Sequence, residues 1–423
     1  MHICVLGAGV IGTTSAYQLL EAGHQVTLLD AKPVPASGAS LGNGAQLSYS
    51  YVAPLADPSV WSKWPYYLAS PNSPLTLRPW TDSAQWGWLL QFLAACTPGK
   101  VRSTTIELLR LAFFSREQLA RLRGTMPFDF LHRTAGKLVM FSDANALQLA
   151  KKQIDFQAEH GCEQEIVDAG RCLGIEPALV ASGRKWAGGV YTPSEEVGDC
   201  ALFCQRLLAS MKNHPGFEFL PSMPISRVEV KNRVLRSVWA GSDNIQADAF
   251  VLAMGAESAA FASKAGFSVP IYPLKGYSIT VPLGEAVLAV APQVSITDLS
   301  RKIVYARLGD RMRVAGRVEL VGMNPDIPKR AIDELTRAVA ETFPGCVSPS
   351  AADGSAWSPW AGFRPATPTG LPIIGPSPVE NLYLNVGHGS LGWTLACGSA
   401  ALLAQQIDGK ATAIDTAAFR FNG

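Results

Sequence analysis

The chain has 423 residues, enough for two or three domains at about 150 residues each. Apolar residues make up 48% and charged residues 17%, which excludes a disordered or solvating chain and allows a large buried core. A net charge of +2, with no basic or acidic block, implies no nucleic-acid partner.

His2-Ile-Cys-Val-Leu6 is a short apolar run that predicts a buried parallel strand. Gly7-Ala-Gly9-Val-Ile-Gly12 follows at once. A helical pattern then places Ile11, Ser15 and Leu19 on one face and stops at Gly23. Gln25-Val-Thr-Leu-Leu29 predicts a second strand, ending on Asp30. This is a complete β-α-β dinucleotide unit. Gly7 allows the tight turn, Gly9 lets the backbone approach a pyrophosphate, and Gly12 packs helix on strand. The helix N-terminus at Val10 and Ile11 offers free N–H groups to phosphate. Asp30 lies 18 residues after Gly12, where an acid takes the ribose hydroxyls and disfavours a 2′-phosphate. FAD and NAD both stay open on this unit alone.

Further along, Trp61, Trp64, Trp80, Trp86 and Trp88 crowd a stretch rich in proline and leucine. They read as filling beneath a second domain, or as an interfacial patch, since tryptophan favours headgroup depth. Gly38-Ala-Ser40-Leu-Gly42 matches a nucleophile elbow, but Lys32-Pro-Val-Pro-Ala-Ser37 stands where a strand is needed, which argues against a hydrolase. Helices are predicted over 103–123 and Ala146–His160, with a strand at Lys137–Phe141 between them. Asp199 caps a helix running to about Lys212, on which Cys200 and Cys204 form a packed pair. Strands follow at Phe217–Leu220, Arg227–Val230, Val234–Ala240 and Ala249–Ala253. Ile271–Val281, Ile303–Arg307 and Arg311–Ala315 predict a second sheet, and Lys329–Thr342 a helix. Strand Leu382–Val386, a Gly-His-Gly turn and a helix over Leu391–Ile407 repeat the opening theme.

The predicted fold class is α/β: a doubly wound, Rossmann-like nucleotide domain interleaved with an α+β substrate domain built on an antiparallel sheet. The expected boundaries are 1–95, 190–268 and 355–423 for the first, and 96–189 and 269–354 for the second. Eight cysteines without a C-x-x-C pair suit a reducing compartment, and six histidines without ligand spacing predict no metal site. With no signal segment and no spanning apolar run, the expected location is cytoplasmic.

Five motifs in order carry a resemblance. They are the opening unit, Ala253-Met-Gly255, Tyr272-Pro-Leu-Lys-Gly-Tyr-Ser278, Trp360-Ala-Gly-Phe-Arg-Pro-Ala-Thr-Pro368 and Gly387-His-Gly-Ser-Leu-Gly-Trp-Thr394. With them the chain resembles the D-amino-acid oxidase superfamily, and within it the bacterial D-amino acid dehydrogenase small-subunit group. The resemblance moves NAD out and FAD in. It implies oxidative deamination of small amino acids, D-amino acids above all, by hydride transfer from Cα to flavin N5. The product is an imino acid, then a keto acid and ammonia. Electrons pass to a quinone or other carrier, which implies peripheral contact with the inner face of the cytoplasmic membrane. The alternative is an oxidase of glycine, D-proline or another secondary amine that releases peroxide. A flavin-binding subunit serving a partner chain is the non-catalytic rival.

By the same resemblance, Gly7, Gly9, Gly12 and Asp30 match the adenosine-diphosphate site, with Ala31 and Lys32 beside it and Ala253 and Gly255 behind it. Ile225 matches the residue whose backbone meets adenine. Ser40, Asn43, Gly44, Gln46 and Leu47 match the segment under the pyrophosphate and flavin; Gly42 departs from the alanine usual there. Gly387, His388, Gly389, Leu391, Gly392, Trp393 and Thr394 match the turn and helix start under the flavin pyrimidine, with Ser390 as a helix cap, and Gly362 matches a further cofactor-binding position. Arg364 matches the arginine that holds the substrate carboxylate, a bidentate task suited to a guanidinium. Tyr305, two residues beyond the family position at Ile303, is expected to lend its hydroxyl to substrate from the same strand face. Lys275 matches a basic position near the flavin edge, and a structural lysine fits it equally. Cys346, in an unmatched context, implies that the FAD is not covalently held.

Overall fold

The computed structural model describes residues 1–61, 75–77, 82–346 and 357–422. A six-stranded sheet runs in the order Ile373–Pro376, Leu382–Val386, Ala249–Leu252, His2–Leu6, Gln25–Leu29, Phe217–Leu220. All neighbours are parallel except Ile373–Pro376. Its inner strands are buried along almost their whole length, as apolar runs between two covering layers must be. Helices Val10–Glu21, Cys200–Met211 and Gly392–Ile407 cover one side. A three-stranded meander over Ile225–Ala240 and Asp243–Ile245, with helix Ser258–Lys264, covers the other.

The second sheet has nine strands, along the order Ser358–Ala366, Tyr272–Pro282, Arg311–Leu320, Ile303–Leu308, Ser295–Asp298, Lys137–Phe141, Gly188–Thr192, Glu165–Asp168, with 75–77 paired beside Arg311–Leu320. It is antiparallel apart from two parallel pairs. One face packs on helix Lys329–Thr342, whose buried Ala331, Leu335, Ala338, Val339 and Thr342 form a single stripe. The opposite face looks toward the parallel sheet.

Several elements differ from expectation. Helix Pro98–Thr125 begins earlier than predicted, with proline in its first turn, where no N–H partner is needed. Its Leu108, Leu111, Leu119 and Leu122 lie in the same core as Gly392–Ile407, although the expected boundary puts it with the substrate domain. Gly188–Thr192 and Ser358–Ala366 belong to the larger sheet, although the expected boundary at 190 cuts the first and that at 355 puts the second with the nucleotide domain. Helix Ser83–Ala95 is new; Asp82 caps it by accepting from Ala84 N (3.0 Å) and Gln85 N (3.2 Å). On it Trp88 is buried against Phe92 and donates to Ala366 O at 2.8 Å, a core role. Trp86 is half-buried and Trp61 is exposed. Trp64 and Trp80 lie outside the described residues.

Candidate active site

The glycine turn sits at the carboxyl ends of the parallel strands. Gly7 N donates to Leu29 O at 2.7 Å. A Cβ on Gly7, whose φ is +103°, would stand 2.6 Å from Ala253 O, and one on Gly12 would stand 1.7 Å from Gly7 O. Both positions therefore demand glycine. Asp30 accepts from Ala8 N (2.6 Å) and Lys32 N (2.7 Å), which aims its carboxylate along the turn. Ser40 Oγ accepts from Val10 N at 3.0 Å and so ties the next segment to the helix N-terminus. Met223 N donates to Asp30 O and Ser222 N to Lys32 O, so the chain entering Ile225 runs beside Asp30, Ala31 and Lys32.

Residues 40–48 then cross the inner face of the larger sheet. Ser278 Oγ donates to Gly42 O at 2.8 Å. Arg313, only 7% exposed, donates to Leu41 O (3.2 Å) and Asn43 O (2.9 Å). Gly44 lies over Val304. Asn43 Oδ1 accepts from Ala45 N, closing a tight turn, and Ala45 is left-handed at φ +59°. Gln46 reaches Ile296 O and accepts from Lys137 Nζ at 2.7 Å. Ser48 N donates to Thr394 Oγ1 at 3.1 Å, which brings the segment to the start of helix Gly392–Ile407.

Trp360, Gly362 and Arg364 alternate onto this same inner face. Gly362 stands opposite Gly276 in register. The Trp360 indole lies where Cβ atoms of Gly362 and Gly42 would be, and the Arg364 guanidinium lies where that of Gly276 would be. Two facing glycines thus seat an indole and a guanidinium side by side, since opposed Cβ positions are about 5 Å apart. Arg364 is half-buried, and burial lowers its pKa to about 10, so it stays charged at neutral pH. It donates to Arg317 O at 3.1 Å and, among the described residues, forms no ion pair.

The strand carrying Arg364 ends at Ala366, which bridges to His388. Gly387, at φ +82°, turns the chain over Thr367. His388 is buried, and burial drives its pKa down to about 3, so it is neutral. Ser399 Oγ donates to Leu395 O and therefore accepts from His388 Nε2 at 2.9 Å. That leaves Nδ1 as an acceptor without a protein partner. No side chain caps the following helix.

Several expectations change. Tyr305 points to the other face of its sheet: its hydroxyl meets Ala338 O and Thr342 Oγ1, both at 3.3 Å, and its ring packs on Phe343. It is a core residue, far from the inner face. Ser390 caps nothing. Gly362 serves the Trp360 indole. Lys275 lies on Tyr305's side and donates to Asp326 O, which is the structural reading. Leu47 is buried in the core, and Leu391 and Trp393 also pack there; the Trp393 Nε1 bonds Gly198 O. These three can offer backbone groups only. Cys346 is buried in the core around Tyr305. Arg313, Trp360 and Lys137 were not anticipated. A buried arginine within the predicted strand Arg311–Ala315 was the available signal for the first.

A nucleotide cradle joined through one turn to a guanidinium that has no ion-pair partner among the described residues is an arrangement suited to a dinucleotide-dependent enzyme. A family model described as FAD dependent oxidoreductase (DAO) matches residues 2–406, and the chain belongs to that family. It is 45% identical over 424 residues to D-amino acid dehydrogenase 2 of Ralstonia nicotianae, covering 99% of each chain. It is 42% identical to D-amino acid dehydrogenase 2 of Pseudomonas aeruginosa, covering 98% of this chain and 97% of that protein. Among solved structures it resembles glycine oxidase from Geobacillus kaustophilus and iminodiacetate oxidase from Chelativorans. Each gives a TM-score of 0.74 at 19% identity and covers 99% of this chain and 98% of the other. These two likenesses bear on the fold.

The residues present fit FAD. Glycines keep side chains off the turn, the starts of helices Val10–Glu21 and Gly392–Ile407 carry N–H groups that can face a phosphate or a flavin, and the lone acceptor at His388 Nδ1 suits a flavin, whose pyrimidine carries an N–H donor.

Proposed function

We propose that the chain is a flavin-dependent dehydrogenase that oxidatively deaminates small amino acids, with D-amino acids preferred. The observation that carries this reading is the half-buried Arg364 guanidinium, which is seated on Gly276, has no ion-pair partner among the described residues, and is tied through Ala366 and His388 to the flavin turn. The parallel-sheet unit acts as the nucleotide domain and the larger sheet as the substrate roof.

FAD, when bound, supplies the two-electron acceptor for the Cα hydride. Arg364 grips the substrate carboxylate with two parallel N–H bonds and so orients Cα, and orientation alone removes much of the entropic barrier. The N-terminus of helix Gly392–Ile407, which no side chain caps, carries about half a positive charge and would favour negative charge on a flavin held beside it. His388, neutral and internally bonded, orients groups and does not move protons. Buried Arg313 pins the 40–48 segment between the sheets. Asp30 and Gly7–Gly12 would hold the adenosine diphosphate, with Ile225 beside the adenine. Cys346 lies in a core away from this face, which supports non-covalent FAD.

The dehydrogenase names of the relatives support an acceptor other than oxygen; the acceptor proposed is a quinone or similar carrier, reached by peripheral contact at the cytoplasmic face of a membrane. Among the described residues no helix is long and apolar enough to cross one. The test has an anaerobic bleaching arm and an aerobic arm. The purified chain should show flavin absorbance that D-amino acids bleach and their L-enantiomers do not, and dye reduction should outpace peroxide formation in air. A preparation that takes up FAD but is bleached by no amino acid would overturn the reading.

A further inference from the structure

Lys137 is a second buried cation on the inner face, unused above. It opens strand Lys137–Phe141 and is 2% exposed. Its Nζ donates to Gln46 Oε1 at 2.7 Å and Ser48 Oγ at 3.0 Å, and lies 4.3 Å from the centre of the Tyr51 ring. Among the described residues it forms no ion pair. The acid that influences it is Glu195, itself 1% exposed, whose one carboxylate oxygen accepts from Ser50 N at 2.7 Å while the other meets no partner. On the neighbouring strands Ser295 and Thr192 stand opposite Lys137 in register, and the Ser295 hydroxyl is also unpartnered.

Two sources of positive potential thus converge on residues 46–48: the ammonium through Gln46 and Ser48, and the start of helix Gly392–Ile407 through Thr394. The ammonium hydrogen-bonds only neutral groups, so its field is offset by Glu195 through space and not by a direct ion pair. We propose that Lys137 is a positioning residue that holds Gln46 and Ser48 against the flavin and whose charge, opposed by Glu195, sets how readily the bound flavin accepts electrons. This rests on the cofactor reading above. Burial disfavours the charged form of both groups, lowering the pKa of Lys137 to about 8 and raising that of Glu195, and each charge partly offsets the shift of the other.

The test is the flavin midpoint potential of the holoprotein, measured by spectroelectrochemistry in the wild type, Lys137→Met and Glu195→Gln. Measured at a pH low enough that Lys137 keeps its proton in the wild type and in Glu195→Gln alike, removing the cation should move the potential to more negative values and removing the anion should move it to more positive ones. Shifts of the same sign, or no shift in either variant, would overturn the proposal, because loosened packing alone has no reason to reverse sign between them. Should Lys137→Met not retain FAD, Glu195→Gln decides, and an unchanged or lowered potential there defeats the idea. A folded wild type that takes up no FAD would instead defeat the cofactor reading.

Discussion

Gly276→Ala isolates the clamp from the fold. Its Cβ would stand 2.3 to 2.5 Å from the guanidinium atoms of Arg364, against about 3.5 Å for an unstrained contact. The clash falls on the end of a flexible side chain, so the guanidinium retreats by about 1 Å while the backbone stays. A misplacement of that size costs about a hundredfold in rate, or ~2.7 kcal/mol. Full removal in Arg364→Ala should cost about 2–5 kcal/mol, as when a buried charge pair loses one partner. Gly276 is not left-handed, so alanine there should leave Tm level or raise stability by about 0.4–1 kcal/mol. Steady-state kinetics with a dye acceptor, beside thermal unfolding and flavin absorbance, reads both effects. An alanine variant with wild-type kcat/KM for every amino acid would show that the guanidinium does not hold substrate from this seat.

Tyr305→Phe removes two long hydrogen bonds in the core, so kcat and KM should be unchanged while urea unfolding loses about 0.5–1.5 kcal/mol; a large rise in KM would return the residue to the site. Arg313→Met strands the Leu41 and Asn43 carbonyls at about 1–3 kcal/mol each, and equilibrium dialysis should show weaker FAD binding at equal substrate preference. His388 at about 3 lies below the ~6.5 of an unfolded histidine, so between those values the unfolded chain binds the extra proton. Stability is therefore intact above about pH 6.5 and lost on acidification, by about 2 kcal/mol at pH 5. The wild type should lose more between pH 7 and about pH 5 than His388→Asn, and equal losses would contradict a neutral buried imidazole.

What was legible in the sequence follows physical necessity. Strands buried on both faces, such as His2–Leu6 and Ala249–Leu252, show as apolar runs whatever lies around them. Gly7 and Gly12 were readable because each meets a backbone atom that forbids a side chain. Helix Lys329–Thr342 showed because only one side of it is dry. Tyr305 marks a limit. Alternation says that it shares a face with Ile303, but only the packing of the sheet says which layer that face meets. Ser358–Ala366 was hidden because Pro359, Pro365 and Gly362 weaken a strand signal; such residues are tolerated at a sheet edge, where this strand lies. The seat of Arg364 was out of reach for a different reason. The match of Gly276 with Gly362 depends on the register of two strands far apart in the chain.

The interleaving of the two sheets has a practical consequence. Strands of the parallel sheet come from 2–29, 217–252 and 373–386, and those of the larger sheet from 137–192, 272–320 and 358–366 among others. No single cut, by a protease or at the level of the gene, yields a free-standing nucleotide half. Any nick between residues 29 and 373 leaves both fragments holding pieces of the same dinucleotide-binding layer, so loss of the prosthetic group and loss of tertiary structure should coincide.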